Sequence, residues 1–207
     1  MPARAVTILK VVVWFACLMP LALIVCQAVT NTLGPDPTAA ITHATGFWAL
    51  RFLLLTLAVT PLRRLSKSLA WLIRFRKMFG NYAFFYASLH LLTYIWLYSA
   101  FSVPTMLADI EKRRFITVGF AAWLLMLPLA LTSAAWAIRK LGGKRWQLLH
   151  RLIYVCGILA VIHYWWIVKP GDRSPMNVTI ILAVLLLARV IWSVWHARKH
   201  TSVPAAA

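Results

Sequence analysis

Apolar residues come in long blocks along this chain, separated by short polar clusters. Six stretches, residues 11–28, 46–62, 82–103, 115–137, 146–168 and 178–195, are each close to the ~20 residues that a helix needs to cross a bilayer. Membrane β-strands would need only about 9–11 residues of strict alternation, so the pattern predicts helices. The expected fold is all-α: a polytopic membrane protein with six spans in one bundle. The connections are short, leaving no room for a separate soluble domain, so residues 1–207 are expected to form a single unit.

Composition supports this reading: 62% of the residues are hydrophobic, against roughly 45–50% in soluble domains. The charges add orientation. Arg4 and Lys10, then Arg63, Arg64, Lys67, Arg74, Arg76 and Lys77, then Arg139, Lys140, Lys144 and Arg145, then Arg198 and Lys199 give fourteen cations on one side of the bundle. Lys112, Arg113, Arg114, Lys169 and Arg173 give five on the other. Cytoplasmic loops retain Lys and Arg, so both termini are expected in the cytoplasm. The net charge of +18 flanks apolar spans and forms no nucleic-acid reader. Anionic lipid headgroups are the simpler partner.

Local signals refine the picture. The stretch "CQAVTNTLG" after the first block has no A-x-A cleavage site, so that block reads as a retained span. In "TNTLGPDPTAA" (30–40), Gly34, Pro35 and Pro37 read as an outer loop that stops the helix. The segment "RRLSKSLAWLIRFRKMF" (63–79) mixes basic and aromatic residues and reads as lying along the inner interface. Pro20 and Pro128 read as kinks. Cys17, Cys26 and Cys156 fall inside spans, which excludes a disulfide framework and a C-x-x-C motif. No internal repeat is evident.

Chemistry is then sought among polar residues at membrane depth, where ionisable groups are costly. His90, His150 and His163 are the candidates. One histidine would read as an interhelical hydrogen bond, worth about 1–2 kcal/mol. Three on two helices favour ligation, because Asp36, Asp109, Glu111 and Asp172 all lie in outer loops and none is placed as an intramembrane proton partner. Zinc or copper needs three or four converging ligands, whereas His150 and His163 stand about 20 Å apart along a helix. An apolar bundle rich in Trp, Tyr and Phe suits a macrocycle held by axial imidazole. The two histidines are also roughly 140° apart around a straight helix, so either the helix is distorted near Gly157 or the two sites use different sides of it.

The segment "GGKRWQLLHRLIYVCGILAVIHYWW" (142–166), taken with "LH" at 89–90, resembles the ferric-reductase-like transmembrane superfamily. Within it, "LGPDP" (33–37), "TLAVTPLRRL" (56–65), "RRFITVG" (113–119), "GKRWQLLHRLIY" (143–154) and "IHYWW" (162–166) are similar to the heme-binding membrane subunits of periplasmic protein-methionine-sulfoxide reductase systems. The resemblance implies that His90 and His163 are axial ligands of an outer b-type heme and that His150 belongs to an inner site. The expected inner partner on the third span is missing, since Arg76 or Lys77 stands there. One heme is therefore the firm expectation; His150 either holds a second heme with an unconventional partner or contacts an FMN, which the resemblance also implies. Counted from residue 82, His90 lies about 12 Å into its helix, and His163 about 26 Å past residue 146; the depths agree if the third helix begins nearer Arg74.

Other polar residues read more plainly. His43 is an interfacial or loop histidine, and His196 and His200 belong to the basic tail. Arg51 is placed near the outer end of its helix, snorkelling or pairing with a heme propionate. Arg151 and Arg189 are expected to snorkel at inner ends.

The resulting expectation is a membrane electron conduit in the bacterial inner membrane. Electrons would enter from the quinone pool or a cytoplasmic flavin reductase and leave to a periplasmic molybdopterin-containing subunit that reduces methionine sulfoxide in oxidised envelope proteins. Residues 104–115 are the expected docking surface. No Gly-rich dinucleotide motif is present, so catalysis is assigned to the partner. The alternatives are a quinone-linked cytochrome b serving another partner and a cofactor-free transporter or scaffold.

Overall fold

The computed structural model describes residues 3–169 and 171–201. Within them the chain is a bundle of helices without strands, and its connections show why each helix begins and ends where it does. α1 (Ala3–Val29) passes through Pro20 without breaking. The hydroxyl of Tyr86 enters the turn beside that proline, donating to the Cys17 carbonyl at 2.8 Å and accepting from the Leu21 amide at 3.2 Å. The hydroxyl thus bridges the Leu21 amide and the Cys17 carbonyl, one step of the helical ladder beside the proline.

α2 (Pro37–Leu65) starts nine residues before the expected span at Gly46. The Asp36 carboxylate caps it by accepting from the Ala39 amide at 2.9 Å, and Pro37 fits the first turn, where no amide partner is needed. The proline expected to stop a helix therefore starts one. His43 lies within α2 and not in a loop.

Residues 67–72 form a short 3₁₀ turn, and α3 (Ile73–Thr93) follows at once. The basic stretch 63–79 is the end of one helix, a 3₁₀ turn and the start of another. α3 begins beside Arg74, the start at which the depths of His90 and His163 agree. Its far end unwinds through a π turn at Tyr94–Tyr98, and Ala100 and Phe101 take positive φ values of 46° and 60°. α4 (Val103–Lys112) then departs at 111° to the preceding helix. Among the described residues five helices are long and apolar enough to cross a membrane, and six if this bent pair counts as one span.

α5 (Arg114–Leu131) ends six residues before the expected boundary. α6 (Ala135–Leu141) and α7 (Gly143–His150) meet at Gly142, where φ is +75° and a glycine is favoured. α8 (Leu152–Ile167) continues from α7 after a tight turn at Arg151, with Arg151 N–H bonded to Leu148 O and Tyr154 N–H to Arg151 O. The distortion between His150 and His163 is at Arg151, then, and not at Gly157. Gly157 instead allows close packing: a Cβ there would meet Leu182 at 3.2 Å and Leu57 at 3.5 Å. α9 (Ser174–Thr201) completes the bundle; the side chains of His196, Arg198, Lys199 and His200 lie outside the described residues.

Phe52, Leu57, Tyr82, Tyr86, Met126, Ile153, Cys156 and Leu182 form the buried centre, joining α2, α3, α5, α8 and α9. Large apolar side chains such as Val11, Phe15, Val184 and Ile191 face outward, as expected where lipid is the solvent. The chain is a multi-pass membrane protein.

With no hydrophobic drive between helices in lipid, polar bonds and small residues become informative. Arg189 is one case. It does not snorkel: its guanidinium turns inward, donating to Tyr154 Oη at 3.1 Å and to the Leu57 carbonyl. Pro61 lies four residues after Leu57 and has no amide hydrogen. The arginine on α9 therefore serves a carbonyl that its own helix cannot satisfy.

Candidate functional site

His90 on α3 and His163 on α8 face each other with ring centroids 5.9 Å apart and planes at 80°. Each ring is held from behind. His90 Nδ1 is 2.9 Å from the Thr42 carbonyl on α2, and His163 Nδ1 is 2.6 Å from the Phe115 carbonyl on α5. A carbonyl only accepts, so each Nδ1 carries the proton and donates it. Each Nε2 is left unprotonated, with its lone pair available.

A glycine admits each ring to its carbonyl. A Cβ on Gly46 would lie 3.0 Å from Cε1 and Nδ1 of His90, and one on Gly119 would lie 2.6 Å from the same atoms of His163. Gly46 is one helical turn after Thr42, and Gly119 one turn after Phe115. Both hydrogen bonds span 48 residues. The site is thus made of two like halves: α2 carries carbonyl and glycine for a histidine on α3, and α5 does the same for a histidine on α8. This internal correspondence was missed in the sequence. A glycine 44 positions before each histidine was the available signal.

Two metal–imidazole bonds of about 2 Å, with the distance from each nitrogen to its ring centre added, place the centroids of axial imidazoles roughly 6 Å apart. The observed 5.9 Å fits one metal between two nitrogens. No group of three or more His, Cys, Asp or Glu gathers among the described residues. The pair therefore suits a metal whose other ligands come from a macrocycle.

His150 does not join this pair. Its Nδ1 is 3.1 Å from the Trp146 carbonyl of its own helix, and its ring stacks on Trp146 at 3.9 Å. It borders a separate cavity of about 310 Å³ that Arg76, Lys77, Thr56 and Gly80 also line. The two cations that replace the expected inner partner are therefore across the same cavity from His150. Arg51 stands midway along α2 with its guanidinium 3.9 Å from the centre of the Phe47 ring and 4.9 Å from that of Trp48, a cation–π arrangement.

Comparison with known proteins identifies the family. A family model described as ferric reductase like transmembrane component matches residues 45–161, which include Gly46, His90, Gly119 and His150. A protein of Herminiimonas arsenicoxydans named protein-methionine-sulfoxide reductase heme-binding subunit MsrQ is 48% identical over 199 residues, covering 95% of this chain and 90% of the relative. Proteins of the same name from Xanthomonas euvesicatoria pv. vesicatoria and Ralstonia nicotianae are 50% and 43% identical, covering 93% and 98% of this chain and 90% and 94% of the relatives. With a family model over more than half of it and near full-length similarity to these relatives, the chain belongs to the family of protein-methionine-sulfoxide reductase heme-binding subunits, built on a ferric reductase like transmembrane component.

Proposed function

We propose that His90 and His163 are the axial ligands of a b-type heme and that the chain is the electron-carrying membrane subunit of a methionine-sulfoxide reductase system. The observation that carries this reading is the pair of opposed imidazoles with both Nδ1 atoms tied to backbone carbonyls. Those bonds fix the tautomer, aim each Nε2 at the shared space and raise its basicity. In a cofactor-free scaffold the two lone pairs would face each other without a proton between them, an arrangement with no stabilising role. When bound, the heme supplies a reversible one-electron iron couple. The protein supplies ligands, orientation and an apolar enclosure.

The His150 cavity is the proposed inner cofactor pocket. Arg76 suits a propionate of a second heme or the phosphate of an FMN. We assign both termini to the cytoplasm and the chain to the bacterial inner membrane, as a single domain of 207 residues. Electrons enter from the quinone pool or a cytoplasmic flavin reductase. They leave to a periplasmic molybdopterin-containing reductase of methionine sulfoxide. α4 is the proposed docking element: Tyr94 Oη donates to Asp109 at 2.9 Å and Arg113 pairs with the same carboxylate at 3.0 Å, which leaves Glu111, Lys112 and Arg114 exposed beside them.

The test is a dithionite-reduced minus oxidised spectrum of the purified protein, with heme quantified per chain. A b-type spectrum that disappears in His163→Ala, together with electron delivery to the partner, is the expected result. A wild-type spectrum in His163→Ala overturns the ligand assignment.

A further inference from the structure

A groove of about 460 Å³ runs between α1 and α3; neither His90 nor His163 lines it, and it shares Lys77 and Asn81 with the wall of the His150 cavity. The two helices run side by side in the same direction, since Tyr82 Oη donates to the Trp14 carbonyl at 2.9 Å and Tyr86 Oη to that of Cys17. Lys10, Trp14 and Leu18 line it from α1 at helical spacing, and Arg74, Lys77 and Phe85 line it from α3. Its polarity changes along its length: three cations gather at the end where both helices begin, and Trp14, Leu18 and Phe85 follow deeper into the bundle.

The cations have no counter-charge. The chain's four acids, Asp36, Asp109, Glu111 and Asp172, belong to the connections at the opposite end. Among the described residues, the ion pair found joins Arg113 and Asp109 there. Three positive side chains held within reach of one another repel unless an anion lies among them. The apolar lining beyond them rules against a small hydrophilic anion, which would leave that surface unused.

We infer that this groove binds one anionic phospholipid, its phosphate among Lys10, Arg74 and Lys77 and an acyl chain along Trp14, Leu18 and Phe85. The order of chemistry matches such a molecule from head to tail. The occupant carries no redox role, so the inference is independent of the assignment of His90 and His163.

Native mass spectrometry of the full-length protein in detergent tests it, after exchange of co-purified lipid and titration with phosphatidylglycerol or phosphatidylcholine of the same chain length. Phosphatidylglycerol is expected to give a one-to-one adduct, favoured roughly tenfold or more over phosphatidylcholine. Lys10→Gln combined with Arg74→Gln is expected to remove that preference, and Lys140→Gln combined with Lys144→Gln to retain it. In the wild type, raising ionic strength should weaken the preference by screening, a reading that needs no variant to fold. Equal binding of the two lipids overturns the inference, as does a preference that survives in the monodisperse double variant or at high salt. Displacement of the adduct by inorganic phosphate or FMN also overturns it, assigning the cations to a soluble phosphate ligand.

Discussion

Replacing Gly119 with alanine places a methyl group where the imidazole of His163 now sits. The Cβ would lie 2.6 Å from Cε1 and Nδ1, and ordinary contact begins at 3.4 Å, so the ring has to retreat by about 0.8 Å. If it moves along its hydrogen bond, the 2.6 Å separation from the Phe115 carbonyl stretches to about 3.4 Å, beyond the range in which such a bond holds. At Gly46 the overlap is smaller: from 3.0 Å the ring retreats by about 0.4 Å, and the His90 bond of 2.9 Å lengthens to about 3.3 Å, the edge of that range. Losing the group that orients a ligand typically costs about 10–100-fold in metal affinity. Gly119→Ala is expected at or above the upper end and Gly46→Ala nearer the lower. Alanine favours a helix by about 1 kcal/mol over glycine, so without the imidazole contact both changes would stabilise. Gly143→Ala, where a Cβ meets nothing within 4 Å, is the control and should leave heme content unchanged. The assay is heme per chain by pyridine hemochromogen, with affinity from the rate of transfer to apomyoglobin. Full heme retention in Gly119→Ala, or a larger loss in Gly46→Ala, refutes the reasoning.

Other predictions concern the scaffold. Arg189→Met strands the Leu57 carbonyl and should cost about 1–3 kcal/mol; Pro61→Ala restores an amide to that carbonyl, so the double variant should be less destabilised than the sum of the two singles, with a coupling of about 1 kcal/mol or more in thermal unfolding. Additive effects would break the link between them. Tyr86→Phe removes a hydroxyl that serves Cys17 and Leu21 together and should lower stability by about 1–3 kcal/mol, so an unchanged unfolding midpoint would count against the inserted bond. His150→Ala should keep the low-spin bis-histidine signal of His90 and His163 in electron paramagnetic resonance and lose only what the inner cavity holds. Loss of all heme would show that the sites are not separate.

Spans and the paired histidines were legible in the sequence for different reasons. Hydropathy marks a membrane helix strongly because lipid permits little else, and His90 and His163 stand out because few polar side chains occur at depth. The other half of each ligand site was hidden: Thr42 and Phe115 act through carbonyls, which leave no side-chain signature, and a glycine inside an apolar run reads as ordinary small-residue packing. Arg189 was misread because its partner exists only through Pro61, a residue on another helix that appeared to concern that helix alone. The start of α2 was misjudged because capping at Asp36 extends the helix past the point where hydropathy fades, and that of α3 because it follows without a gap from the 3₁₀ turn that Ser66 caps. The far end of α3 unwinds through residues as apolar as those before them, so composition gave no warning of the bend.

The two glycine-backed imidazoles also tie cofactor retention to the alignment of the whole bundle. One belongs to the α2–α3 pair and the other to the α5–α8 pair, and under the proposed ligation they would share a metal only while those pairs keep the same height. A slip of one helical turn, about 5.4 Å, would separate the two nitrogens by more than a metal can bridge. The colour of the purified protein is therefore a ruler for register: a variant far from either histidine that bleaches the spectrum has moved one helix pair along the other.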